Sequence, residues 1–349
     1  MPKIIYSPEH RKFSPLNVYD ARINELVEYP DAPDRVDVIL HALEELSWPV
    51  LRESGDYKLD PYFSSHDGEM IALFREVDQG ISSGLLESPV IPAQFAVRRL
   101  NRLPDALDGR LGWYCTDVRT PLSSGFWAAA CGSLSATIAG ANLLLEGERL
   151  VYVLARPSGH GAGRDFFGGG SYLNYAAGAV TQLSRRSRVA VLEIGFHHGS
   201  GTQDIFSAFR DVLFASIHVD PSSVYPYYSG YPDQHGEAKR DSIRNFTLLF
   251  PLEEKRFINA VKNAVGEVKR TRPGTLIVSL GTDLCSPDGT DRALAGMSLP
   301  LSVYAEAGSV VGSLRIPTLV IQEDGRESAH AGDAVREFLQ ALQKAGEQK

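Results

Sequence analysis

Cysteine is scarce: three residues in 349, at Cys115, Cys131 and Cys285, with no Cys-x-x-Cys spacing. This excludes a disulfide framework and a thiolate zinc site, and it fits a reducing compartment, so a cytoplasmic location is expected. Positive charge is in deficit. Lys and Arg total 35 against 43 Asp and Glu, a formal net charge of −8, so neither nucleic acid nor an anionic membrane is expected as a partner. No uninterrupted apolar run reaches the ~18 residues of a membrane-spanning helix. The opening MPKIIYSPEH turns polar too early for a signal peptide. Internal repeats and low-complexity tails are absent as well.

What is present is a large apolar fraction, 43% against 22% charged, enough to bury one sizeable core. Apolar runs of strand length, such as Leu150 to Ala155, Val189 to Ile194, Thr275 to Leu280 and Thr318 to Ile321, alternate with helix-period segments, such as Lys255 to Lys269 and Asp333 to Lys344. That rhythm predicts a single α/β domain over 1–349 with a parallel, doubly wound sheet flanked by helices. Residues 1–30 and 87–112 read as peripheral loops. Asp67 precedes an amphipathic segment and reads either as its cap or as part of a pocket rim with His66.

Four of the apolar runs end in Gly beside charged or imidazole groups. Val189–Ile194 leads into Gly195-Phe196-His197-His198-Gly199, and Leu150–Ala155 into RPSGHGAGRDFFGGGSY with His160. Thr275–Leu280 leads into GTDLCSPDG with Asp283, and Thr318–Ile321 into QEDGR with Asp324 and Arg326. In a parallel sheet the carboxyl ends of strands are where ligands bind, so one polar site fed by four strands is expected. The aromatic cluster YPYYSGY at 225–231 reads as surface packing or as a lip of that site.

The order and spacing of these motifs resemble the arginase and deacetylase superfamily, and within it the acetylpolyamine amidohydrolases and histone deacetylase-like amidohydrolases. The resemblance implies that fold and a small-molecule substrate. It also implies a homodimer, whose early loop helps build the substrate entrance. It further implies a zinc held by Asp and His in an Asp-x-His pair and by a later Asp, two histidines in a GHH turn, and a Tyr in a GGY turn. Carried onto this chain, His197 and Asp283 fall on metal-ligand positions, whereas Gly195 stands where the first ligand Asp is expected. His160 matches the first histidine of the pair and Gly161 the second. Asp324, Gly325 and Arg326 replace the GGY turn, and Gly170 stands in place of an aromatic tunnel wall. Glu193 falls where an Asp orients the first histidine, and Asp288 follows Asp283 at the family's spacing.

The resulting expectations are these. The catalytic candidates are His160, Glu193, Arg326 and His198; the metal ligands are His197 and Asp283, an incomplete set. The substrate-contacting residues are Gly161, Gly170, Tyr172, Asp324 and His66, with a pocket widened by Gly161, Gly170 and Gly195. Glu193 and Ser216 are placed at a monovalent cation site that potassium would fill. No resident metal is expected, zinc being the alternative. The function read from this set is a deacetylase-family enzyme acting on an amine- or amino-acid-derived molecule through His160 and Arg326 without metal. A zinc amidohydrolase of N-acyl amines with a substitute ligand and a non-catalytic ligand-binding protein stand as the alternatives.

Overall fold

The β-branched runs that read as buried strands form the centre of an eight-stranded sheet. The computed structural model describes every residue except 21–23, 54, 56, 98–101, 286–297, 326–328 and 349. The strands are β1 (Lys3–Tyr6), β4 (Val50–Arg52), β5 (Leu150–Val153), β6 (Val189–Ile194), β7 (Leu213–Val219), β8 (Ile243–Leu248), β9 (Thr275–Leu280) and β10 (Thr318–Gln322). Their order is β4-β1-β5-β10-β9-β6-β7-β8, and every pairing is parallel. Two strands from late in the chain, β9 and β10, lie between β5 and β6. The carboxyl ends of four chemistry-bearing strands therefore stand side by side.

Alternation along each strand sends successive side chains to opposite faces. Val151 and Val153 of β5 join one core with Ile277 and Ile321. Leu150, Tyr152 and Leu154 join the other core with Leu276, Val278 and Val320. The first face is covered by α4 (Phe126–Leu145) and α5 (Tyr175–Leu183), with α2 (Gly68–Ser82) outside them. The second face is covered by α1 (Asp34–Leu43), α7 (Glu254–Thr271), α8 (Ser302–Gly312) and α9 (Ala329–Glu347). On α7 the buried residues Phe257, Val261, Ala264, Val265 and Val268 follow the helical period and form one apolar stripe. Small residues bring α4 close to the sheet: a Cβ on Gly140 would lie 2.9 Å from both Val153 and Leu319. By length and composition α4 could cross a membrane, but 67% of its apolar window is buried in this core.

Some elements lie where peripheral loops were expected. A two-stranded antiparallel hairpin, β2 (Asn17–Asp20) and β3 (Glu25–Glu28), occupies part of the first 30 residues. A short helix, α3 (Leu107–Tyr114), starts within the 87–112 stretch. The edge strand β4 and the short α6 (Ser200–Ser207) are further additions. The hairpin and β4 are mostly exposed, so neither carries the apolar alternation that marks a strand in sequence.

Candidate active site

The last turn of β6 sets the geometry. Beyond Glu193 and Ile194 the chain passes through Gly195 and Phe196 to His197 and His198, and Gly199 then opens α6. His197 Nδ1 lies 3.1 Å from Asp283 Oδ2, beyond β9. The other oxygen, Asp283 Oδ1, accepts from the Phe196 backbone N–H at 2.9 Å, which pins the carboxylate to the β6 loop. From β10 comes Asp324, whose Oδ2 lies 3.6 Å from His197 Nδ1 and 2.9 Å from His160 Nε2. Ligand atoms of His197, Asp283 and Asp324 thus all fall within 4.8 Å of one another.

Burial alone would push the Asp324 carboxyl up, but the charge and hydrogen bond of His160, and then those of His197, hold it well below the usual carboxylate range. Reciprocally, burial would lower the His160 imidazole, and Asp324 and then Glu193 raise it well above its ordinary value. Two carboxylates and an imidazole converging on one point in a largely dry site is a donor set that suits a divalent cation.

His160 sits between two acids, with Nε2 on Asp324 and Nδ1 3.4 Å from Glu193 Oε2. Its main-chain N–H donates to Glu323 Oε2 at 3.1 Å. Gly161 does not widen the pocket as expected. A Cβ there would come within 2.4 Å of the Gly168 carbonyl oxygen, because the 168–171 loop closes onto it and Ser171 Oγ accepts its N–H. Gly161→Ala is therefore expected to destabilise the fold by about 1–3 kcal/mol, the usual cost of overpacking against fixed backbone, measurable in denaturant titrations. Gly195 does leave room, since a Cβ there would meet nothing nearer than Asp283 Oδ1 at 3.5 Å. Gly170 borders the cavity with φ +72° and Tyr29 Oη 3.5 Å from its Cβ position.

Several expected site residues lie elsewhere. Tyr172 does not contact substrate space: it is fully buried, donates its hydroxyl to the Pro121 carbonyl, and packs edge-on against Phe13 and Phe74. His66 is likewise structural, because Asp67 takes the capping role, accepting from Glu69 N and Met70 N. His66 Nδ1 donates to the Gly163 carbonyl at 2.7 Å, and its Nε2 accepts from Asn174 N at 3.0 Å. Those partners fix a neutral ring, and burial lowers its pKa to about 4.

Because an unfolded histidine titrates near 6.5, the unfolded state binds the extra proton first as pH falls, so stability is intact above ~6.5 and is lost towards pH 4. The His66 share is about 3 kcal/mol. His66→Gln is expected to flatten the unfolding free energy between pH 6.5 and 4.5, as read by urea titration. His10, also lowered to about 4 by burial and then by Arg156, adds slope of the same sign.

His198 borders the cavity, yet its ring packs tilted against His218 with centroids 4.4 Å apart, and burial, then His218, lowers it well below its ordinary value. Ser216 Oγ lies 2.8 Å from both Glu193 Oε1 and His218 Nδ1 and 3.4 Å from His198 Nδ1. Around the expected cation site, ligand atoms of Glu193, His198 and His218 also fall within 4.8 Å of one another, a second group able to hold an ion, with Ser216 Oγ hydrogen-bonded among them. Arg326 and Asp288 lie outside the described residues.

His197 and Asp324 line a cavity of about 240 Å³ bordered by Tyr29, Asp31, Asp117, Tyr225 and Tyr227, with Asp283 buried behind them. Tyr225, in the aromatic cluster, is half-buried with its ring 6.2 Å from that of His197 and donates its hydroxyl to Asp117 Oδ2 at 3.1 Å. Tyr228 is 89% exposed, so the cluster divides into two wall residues, Tyr225 and Tyr227, and a surface residue. Sequence reasoning missed Glu323, whose carboxylate gathers donors from two strand ends. It also missed the position of Asp324 beside His197 and Asp283. The only signal for either was the acidic pair after a buried strand.

The histone deacetylase domain matches residues 29–342. Acetylpolyamine amidohydrolase 2 of Pseudomonas aeruginosa is 32% identical over 317 residues, 90% of this chain and 91% of that protein. The acetylpolyamine amidohydrolase of Mycoplana ramosa is 30% identical over 345 residues, 97% and 99% of the two chains. The crystal structure of acetylpolyamine aminohydrolase from Burkholderia pseudomallei superposes with a TM-score of 0.89 at 27% identity, covering 99% of each chain. The expectation of no resident metal is overturned. The matched family is one of zinc-dependent deacetylases, and beside His197 and Asp283 stands a third group able to hold a metal ion, Asp324. With that family matched across most of its length and four of its strand ends meeting at one acid–imidazole site, the chain belongs to the histone deacetylase family.

Proposed function

We propose that this protein is a metal-dependent amidohydrolase that removes acetyl groups from small N-acetylated amines, with Asp324 serving in place of the ligand absent at Gly195. The observation that carries the reading is the convergence of His197 Nδ1 and carboxylate oxygens of Asp283 and Asp324 at the edge of the cavity. Those three residues would hold the metal. A divalent cation bound there would supply Lewis-acid polarisation of the amide carbonyl and stabilise the charge developing on its oxygen.

The remaining work falls to this chain's own groups. His160 Nε2 faces the same point, placed to take a proton from the attacking water and return it to the departing amine nitrogen, so that amide and water become carboxylate and amine. Glu193 orients the other ring nitrogen. Tyr29, Tyr225 and Tyr227 form an aromatic wall that favours a cationic amine chain; Asp117 borders it, as do Arg35, Arg119 and an Asp31 already paired with Arg35 and Arg156. The acetylpolyamine amidohydrolases among its relatives agree with that choice.

The test is metal analysis of protein purified without chelator, followed by acetate release from an N-acetylated diamine with and without chelator. One zinc per chain and chelator-sensitive release are expected. Metal-free protein that stays inactive after zinc is added would overturn the proposal.

A further inference from the structure

Glu323 is buried (1% exposed), and burial pushes its carboxyl up. A carboxylate in such a place normally calls for a cationic partner. Four uncharged donors surround it instead. Glu323 Oε2 accepts from Ser158 Oγ at 2.9 Å, Gly159 N at 2.7 Å and His160 N at 3.1 Å, all in the loop after β5. Glu323 Oε1 accepts from Ser279 Oγ at 2.8 Å, on β9. Its own main chain is held equally firmly, with its N–H on the Leu280 carbonyl and its carbonyl accepting from Arg35 Nη1. The next residue, Asp324, takes the far end of the same imidazole through Nε2 at 2.9 Å. Consecutive acids at the end of β10 therefore grip His160 at its backbone and at its ring.

We infer that Glu323 is a positioning residue: its carboxylate fixes the loop after β5 so that the His160 ring meets Asp324 at the reaction point. The inference rests on the amidohydrolase reading for its kinetic consequence and on geometry alone for the His160–Asp324 contact. An arginine or lysine is not required in this role, because the anion is matched to two main-chain N–H groups that only a correctly folded 158–160 loop presents. Without the carboxylate, Gly159 N, His160 N and two hydroxyls lose their acceptor, and the loop relaxes away from β9 and β10.

The test uses the whole chain. Glu323→Ala is expected to lower kcat about 100-fold, the scale of an ångström-sized misplacement, with KM changed less than about threefold. Glu323→Gln, which keeps an acceptor oxygen, is expected to recover about tenfold of that loss. Ser279→Ala, a variant with little risk to folding, is expected to lose about two- to fivefold in kcat. In parallel, the ring nitrogen resonances of 15N-histidine-labelled protein report the contact directly: the His160 Nε2 signal should shift in Glu323→Ala while those of His66 and His10 stay put. The inference is overturned by a His160 signal unchanged in Glu323→Ala, or by kcat within about threefold of the parent. It is equally overturned by all histidine signals moving together, or by a glutamine variant no better than alanine. If the parent protein hydrolyses nothing, the functional reading fails, and the His160 resonance still decides the role of Glu323.

Discussion

Asp324→Asn is expected to cost the protein its divalent cation, and hydrolysis with it. The change is nearly isosteric and leaves a carbonyl oxygen at the same place, so it removes charge and little else. In the present site Asp283 and Asp324 face His197 from two strands, with Nδ1 at 3.1 and 3.6 Å from their oxygens. Disturbing the residues that merely orient a metal ligand already costs 10–100-fold in affinity. Losing an anionic ligand outright should therefore weaken zinc binding by at least about 100-fold, roughly 3 kcal/mol. Competition with a chromogenic chelator measures that affinity, and acetate release should fall at least as far.

A second arm makes the experiment specific. Gly195 has room for a Cβ beside Asp283, so Gly195→Asp in an Asp324→Gly background should regain most of the lost affinity by moving the ligand from β10 to β6. An Asp324→Asn variant that keeps full affinity, or a relocation variant no tighter than Asp324→Gly alone, would show that Asp324 is no ligand.

That relocation also marks where reading the sequence stops. β6 and β9 were legible to the residue, because both are buried on two faces and end abruptly in glycine and polar groups. So was the convergence of four strand ends, since a parallel sheet delivers its loops to one edge. The loss at Gly195 was legible too, but the carboxylate that we propose takes its place was not. Asp324 lies 129 positions downstream, just past a strand separated from β6 only by β9, and no spacing rule connects the two. The strand order alone makes them neighbours.

Steric reach was hidden for a similar reason. Gly161 looks like an opening in sequence, but the 168–171 loop fills the space with a backbone oxygen. Tyr172 and His66 were misassigned because a buried aromatic residue and a buried imidazole leave the same trace in sequence whether they face a cavity or a core. Their partners, Pro121, Gly163 and Asn174, become visible only after folding.

His160→Asn should move turnover and metal affinity in opposite directions. Removing a positioned proton-transfer group typically costs 10²–10⁴-fold, and the residue that follows it in the turn is Gly161, not a second histidine. A fall in kcat of at least about 100-fold is therefore expected. Zinc, however, should bind as tightly as in the parent or more so, since His160 Nε2 now occupies Asp324 Oδ2 at 2.9 Å with a strongly favoured proton. That proton must leave before the oxygen can serve a cation, so metal binding is coupled to an unfavourable deprotonation. An asparagine side chain in place of the imidazole offers Asp324 a neutral donor at most, so the competition weakens. If His160 were instead a metal ligand, affinity and turnover would fall together. If it were a bystander, turnover would hold. Chelator competition and acetate release on the same preparation separate the three outcomes.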